Sequence, residues 1–134
     1  RLLGGCVDVF LELLGTSLWP SLDQWEGKLL LLETSECNMD PDTLRWILRN
    51  LNAQGLFRVL RGIVVGKPAF REAERAYPEV FRSVVGFEAG RPDLPILYNV
   101  NVGHAYPIGL LPLGLEYELD CGRPGLRLLE PATA

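Results

Sequence analysis

Histidine and methionine each occur once in the 134 residues, as His104 and Met39, and cysteine occurs only three times. Cys6, Cys37 and Cys121 contain no C-x-x-C pair, and beside a single imidazole they supply too few ligands for a closed structural zinc site. No metal or cofactor is therefore expected. An odd set of thiols reads as reduced cysteines in a cytoplasmic protein. Long apolar runs are missing as well. Leu29–Leu32 and Ile108–Leu115 are the most apolar stretches, and Pro112 breaks the second, so neither approaches the roughly 18 residues of a membrane span. Basic runs are absent: 13 Lys and Arg lie scattered against 17 Asp and Glu, for a net charge of −4, which is not the footprint of a nucleic-acid binder. The Gly-x-x-x-x-Gly-Lys-Ser/Thr phosphate loop is lacking around Lys67, which reads as a surface residue at a strand end. The chain opens at Arg1 without an initiator Met or a leader-like segment, as the interior of a longer protein would.

What is present describes one α/β domain. Hydrophobic residues make up 48% of the chain and charged residues 22%, and this length buries roughly two-thirds of the surface an unfolded chain exposes. Val7, Phe10, Leu11 and Leu14 predict a short helix over Gly5–Gly15, stopped by Gly15. Thr16–Lys28 reads as a loop pinned by Trp19 and Trp25, which are expected as core plugs. Leu29–Glu33 is a continuous apolar run ending in a carboxylate, a buried strand. Asp40-Pro41 is an N-cap followed by proline, and Leu44, Ile47, Leu48 and Leu51 form the stripe of a helix closed by Gly55. Val59–Gly66 reads as a second buried strand, centred on Gly62–Gly66. Ala69–Val85 is expected to be helical but interrupted at Pro78, and Pro95–Val102 is a third strand. Gly114–Asp120 alternates apolar and acidic residues, and with the Gly122–Gly125 turn and Leu126–Leu129 it predicts a C-terminal antiparallel hairpin.

The chemistry gathers at strand ends. His104 follows the Asn99–Val102 segment and Gly103, and Glu33 ends another strand. In a helix-covered sheet such ends are where ligands meet the protein. A carboxylate on one imidazole nitrogen fixes the tautomer and leaves the other nitrogen to accept a proton. The same histidine could instead be structural, its ring bonded to backbone. A nucleophile is harder to find: Ser17, Ser21, Ser35 and Ser83 lie in no Gly-x-Ser-x-Gly elbow, and the cysteines read as packing or loop residues.

In order, Gly4-Gly5, Leu14-Gly15-Thr16, Gly27-Lys28 through Glu33, Leu51–Gly55, Gly62–Lys67, Leu94–Leu97, Gly103-His104 and Leu111–Gly114 resemble the LD-carboxypeptidases and the related microcin C immunity peptidases. The resemblance implies two-domain cytoplasmic serine peptidases with a Ser-Glu-His triad. The serine would lie in an N-terminal domain, and the Glu and His in a C-terminal domain of layered β/β/α, swivelling type. Residues 1–134 are similar to that C-terminal domain alone, with a mixed sheet and the closing hairpin, and the nucleophile domain absent. Carried over residue by residue, the acid is Glu33, in preference to Glu36 beyond the strand end, and the base is His104. Gly5 and Cys6 fall at substrate-binding positions, although Cys6 stands where the family often has Asn. The implied substrate is a small peptide-like molecule, a murein LD-peptide or a microcin-like aminoacyl-nucleotide, and the implied assembly is a homodimer. The isolated chain is expected to be inactive. The alternative is a non-catalytic binding or interaction module of the same fold.

Overall fold

The structure, a computed structural model, describes residues 1–133, and it opens with a strand, β1 (Leu2–Cys6), where the apolar spacing predicts the start of a helix. The helical stretch is reduced to a 3₁₀ turn at Val7–Val9 and one turn of α-helix, α1 (Phe10–Leu13). Gly4 supplies the reason. At φ +134° it lies so close to the Leu31 carbonyl that a Cβ would overlap the oxygen. The backbones approach because a side chain is missing, and two glycines carry no periodicity to announce a strand. The following loop holds a second short helix, α2 (Leu22–Trp25), begun by a Ser21–Gln24 capping box. Trp25 is buried, as expected of a plug, and Trp19 packs between it and Phe10.

Strand β2 (Leu29–Glu33) and helix α3 (Pro41–Ala53) form where the sequence predicts them. The Asp40 carboxylate accepts the Asp42 and Thr43 amides, and Leu44, Ile47, Leu48 and Leu51 are buried. A short α4 (Leu56–Val59) leads into β3 (Gly62–Gly66). Helix α5 (Arg71–Phe81) then runs through Pro78 without interruption and continues as a π-helical segment, Arg82–Glu88. Proline deprives the carbonyl four residues earlier of its amide donor. That carbonyl belongs to Glu74, and the Tyr98 hydroxyl donates to it at 3.0 Å, so the helix is continuous with its orphaned acceptor satisfied. Tyr98 lies on β4 (Ile96–Val100), and β5 (Tyr117–Asp120) with β6 (Gly125–Leu128) form the expected hairpin, whose turn amides at Gly122 and Arg123 donate to Asp120.

Strands β1 to β4 form one parallel sheet in sequence order, and the antiparallel pair β5–β6 is a separate sheet. The architecture is layered, because β2 alternates. Leu30 and Leu32 enter the large cluster with Leu44, Leu48, Tyr77 and Phe81 of the helices. Leu29 and Leu31 enter a smaller cluster with Leu2 and Val64, covered by Tyr117, Leu119 and Leu126 of the hairpin. Strand side chains alternate between faces, so a continuous apolar run means a sheet covered on both sides. Four buried leucines, each contributing about 1.5–3 kcal/mol, outweigh the cost of carrying Glu33 into a nearly buried position at the strand end. Among the described residues no helix is long and apolar enough to cross a membrane.

Candidate functional site

Parallel register decides which polar side chains meet. Cys6 is the register partner of Glu33 across β1 and β2, and both continue the row that faces the hairpin side. Cys6 thus ends a strand, whereas the sequence reading has it opening a helix. Gly66 ends β3 beside them. A Cβ there would lie 2.6 Å from the Glu33 Cβ and 2.7 Å from the Val102 carbonyl oxygen, so only glycine leaves room for the acid and the histidine loop together. Gly103 clears the other side of the carboxylate. At φ +101°, a Cβ on it would collide with Glu33 Oε2 and lie 3.0 Å from both Cβ and Cδ of that residue.

His104 presents Nδ1 to Glu33 Oε2 at 2.8 Å, although the two are 71 residues apart in sequence. Glu36 Oε2 lies 3.7 Å from Nε2, beyond hydrogen-bond range, and its side chain is exposed. The loop bearing His104 has its own frame. The Gly109 amide donates to the Asn101 carbonyl at 2.7 Å, and the Lys67 amide to Val100 at 2.7 Å. Lys67, expected as a plain surface residue, also directs its ammonium to the Tyr106 carbonyl at 3.1 Å. Of the remaining predicted positions, Gly5 pairs with Leu32 and faces open space. Ser35 directs its hydroxyl to Asp8 at 3.0 Å, away from the Glu33–His104 pair.

Asp8 is the residue that sequence reasoning missed. Its carboxylate accepts the Ser35 amide at 2.9 Å and lies 3.5 Å from Cys6 Sγ, so it fastens the loop after β2 to the end of β1. No motif marks it, because its partners are assembled only by the sheet. The hydrogen bond to Glu33, followed by that carboxylate's charge, raises the His104 imidazole above its ordinary value of 6.5, with Glu36 and Asp8 adding to the effect. Burial pushes the Cys6 thiol up to about 11, and the charges of Glu33 and Asp8 act in the same direction. The imidazole is oriented and basic, and among the described residues no side chain hydrogen-bonds its Nε2; the thiol beside it is held protonated. Cys6, Glu33 and His104 are also a group able to hold a metal ion.

Fold and geometry together define a class: a layered α/β domain carrying a carboxylate-oriented imidazole at the carboxyl ends of its parallel strands. Residues 1–119 match the family model described as the LD-carboxypeptidase C-terminal domain, and the chain belongs to that family. An MccF-like protein from Streptococcus pneumoniae, solved in complex with AMP, is 34% identical with a TM-score of 0.78, over 87% of this chain and 36% of that one. The microcin C7 self-immunity protein MccF, solved with aspartyl sulfamoyl adenosine, has the same fold over the whole chain at 20% identity, with a TM-score of 0.78 and 38% of its own length covered. A muramoyltetrapeptide carboxypeptidase from Oxalobacter formigenes shares the fold at a TM-score of 0.64 and 20% identity, over 87% of this chain and 40% of its own. A Synechocystis protein named provisionally as a carboxypeptidase is 25% identical over 121 residues, 90% of this chain. The chain spans 38% of that relative's length.

Proposed function

We propose that residues 1–134 are the Glu- and His-bearing C-terminal domain of a two-domain serine-type hydrolase that cleaves amide bonds in small peptide-like substrates. The observation that carries this reading is the 2.8 Å contact between Glu33 Oε2 and His104 Nδ1, which leaves Nε2 free to take a proton. Family membership supports hydrolysis, and the fraction of each relative's length that the chain spans is consistent with a nucleophile domain lying outside it. The relatives solved with AMP and with aspartyl sulfamoyl adenosine support an aminoacyl-nucleotide substrate; the relative named for muramoyltetrapeptide supports a murein peptide.

In the proposed mechanism a serine of the other domain gives its hydroxyl proton to His104 Nε2 as its oxygen attacks the substrate carbonyl. Glu33 holds the tautomer and stabilises the imidazolium. His104 then returns the proton to the leaving amine, and water, deprotonated by the same nitrogen, releases the acyl group from the serine. Gly5 and Cys6 line the substrate side. Cys6 is a poor substitute nucleophile, since its thiol is pushed up to about 11 and directed toward Asp8. This chain alone is therefore inactive. His104→Ala in the full-length protein should lower kcat/KM by about 10²–10⁴-fold or more while the protein stays folded by circular dichroism, as the ring is partly exposed. Assays against a murein tetrapeptide and an aminoacyl-nucleotide conjugate, run side by side, identify the substrate. Turnover that survives the substitution removes His104 from the mechanism.

A further inference from the structure

We infer that Cys6, Glu33 and His104 form a binding site for one thiophilic divalent cation of the zinc class, with a fourth position open to water. The three side chains offer a sulfur, a carboxylate oxygen and an imidazole nitrogen, all within 4.8 Å of one another. Bonds of about 2.0–2.3 Å around a tetrahedral zinc place neighbouring ligand atoms roughly 3.2–3.7 Å apart. The oxygen and nitrogen, at 2.8 Å, need only part slightly. The sulfur has about 1 Å to travel, a distance that rotation about one side-chain bond of the half-buried Cys6 supplies.

The surroundings suit a dication. Among the described residues Glu33 has His104 as its ion-pair partner and no lysine or arginine neutralises it, while Asp8 and Glu36 stand next to the other two donors. Asp8, fixed by Ser35, adds its charge beside Cys6, and Glu36 lies 3.7 Å from His104 Nε2, on the side where an outer carboxylate orients a metal-bound histidine. The thiol favours Zn²⁺, Cd²⁺ or Co²⁺ over Mg²⁺ and Ca²⁺. On binding, three coordinate bonds form, the thiol proton leaves to solvent and no electron moves. The ion would take the Glu33–His104 pair out of proton transfer, so the site makes such cations inhibitors; that consequence rests on the hydrolase reading, whereas the binding itself does not.

The test is a Co²⁺ titration of the reduced chain, followed by sulfur-to-cobalt charge-transfer absorption in the near ultraviolet, with Zn²⁺ as competitor in calorimetry. One equivalent should bind. Cys6→Ser should abolish the charge-transfer band, and Glu33→Gln and His104→Ala should each weaken Zn²⁺ by more than about tenfold. Cys37→Ser and Cys121→Ser should change neither. Cys6→Asn, checked by circular dichroism, serves if the serine variant fails to fold. A band that never appears, that survives loss of Cys6, or that disappears with Cys37 or Cys121 overturns the site. Zn²⁺ that binds the full-length protein through Cys6 without slowing it would leave the site standing and count against the catalytic role of the pair.

Discussion

Adding one methyl group at Gly66 tests how the acid is held. The new Cβ of Gly66→Ala would sit 2.6 Å from the Glu33 Cβ and 2.7 Å from the Val102 carbonyl oxygen, where carbon atoms rest at roughly 3.5–4.0 Å. The structure must therefore open by about 1 Å. Neither neighbour is the tip of a flexible side chain: one is rooted in a central strand and the other is backbone of the histidine loop. Overpacking of this kind costs about 1–3 kcal/mol. Unfolding entropy of about 2.1 cal/mol/K per residue over 134 residues converts that into a fall in Tm of roughly 4–11 °C. The displaced atoms belong to Glu33, so the imidazole should lose part of its partner, and its titration midpoint should move down toward that of free histidine. Calorimetry measures the first effect, and NMR titration of the one histidine measures the second. If Gly66→Ala melts with the wild type and its His104 titrates unchanged, the claim that an absent side chain makes the site is wrong.

Other outcomes follow from the same geometry. Tyr98→Phe removes the donor from the Glu74 carbonyl that Pro78 cannot serve, and should cost about 1–3 kcal/mol in chemical denaturation; a loss of less than about 0.5 kcal/mol would mean that water replaces the hydroxyl. Glu33→Gln should lower the His104 midpoint, because the hydrogen bond to that carboxylate is the largest influence raising it. A group whose pKa rises on folding contributes stability that is complete below its unfolded value and lost as pH climbs through its folded one. The pair should therefore stabilise the chain below about pH 6.5 and fade above it, and Glu33→Gln should flatten that part of the stability–pH curve. Equal slopes in the two proteins would contradict this.

The parts of the fold written in local signals were legible. Asp40-Pro41 and the leucine stripe announce α3, the apolar run Leu29–Leu32 announces β2, and alternation over Tyr117–Asp120 announces the hairpin. What escaped depends on atoms distant in sequence. β1 exists because Gly4 can lie against the Leu31 carbonyl, and α5 passes Pro78 because a tyrosine from another strand satisfies the exposed carbonyl. The site divides in the same way. Glu33 and His104 could be picked out as strand-end residues, but their approach to 2.8 Å also needs the loop beyond β4 and the room left by Gly66 and Gly103. Cys6 and Asp8 could not be placed, since parallel register alone brings the end of β1 beside the end of β2.

The two faces of β2 have different neighbours, and this separates the stability of the fold from the placing of the acid. Leu30 and Leu32 look into the helices and carry much of the folding energy; Leu29, Leu31 and then Glu33 look the other way. Substitutions beneath the helices can drift, or be chosen by an engineer, to raise or lower thermal tolerance while the acid stays where it is. Changes beneath the hairpin have no such freedom, because the row they belong to ends at the imidazole's partner.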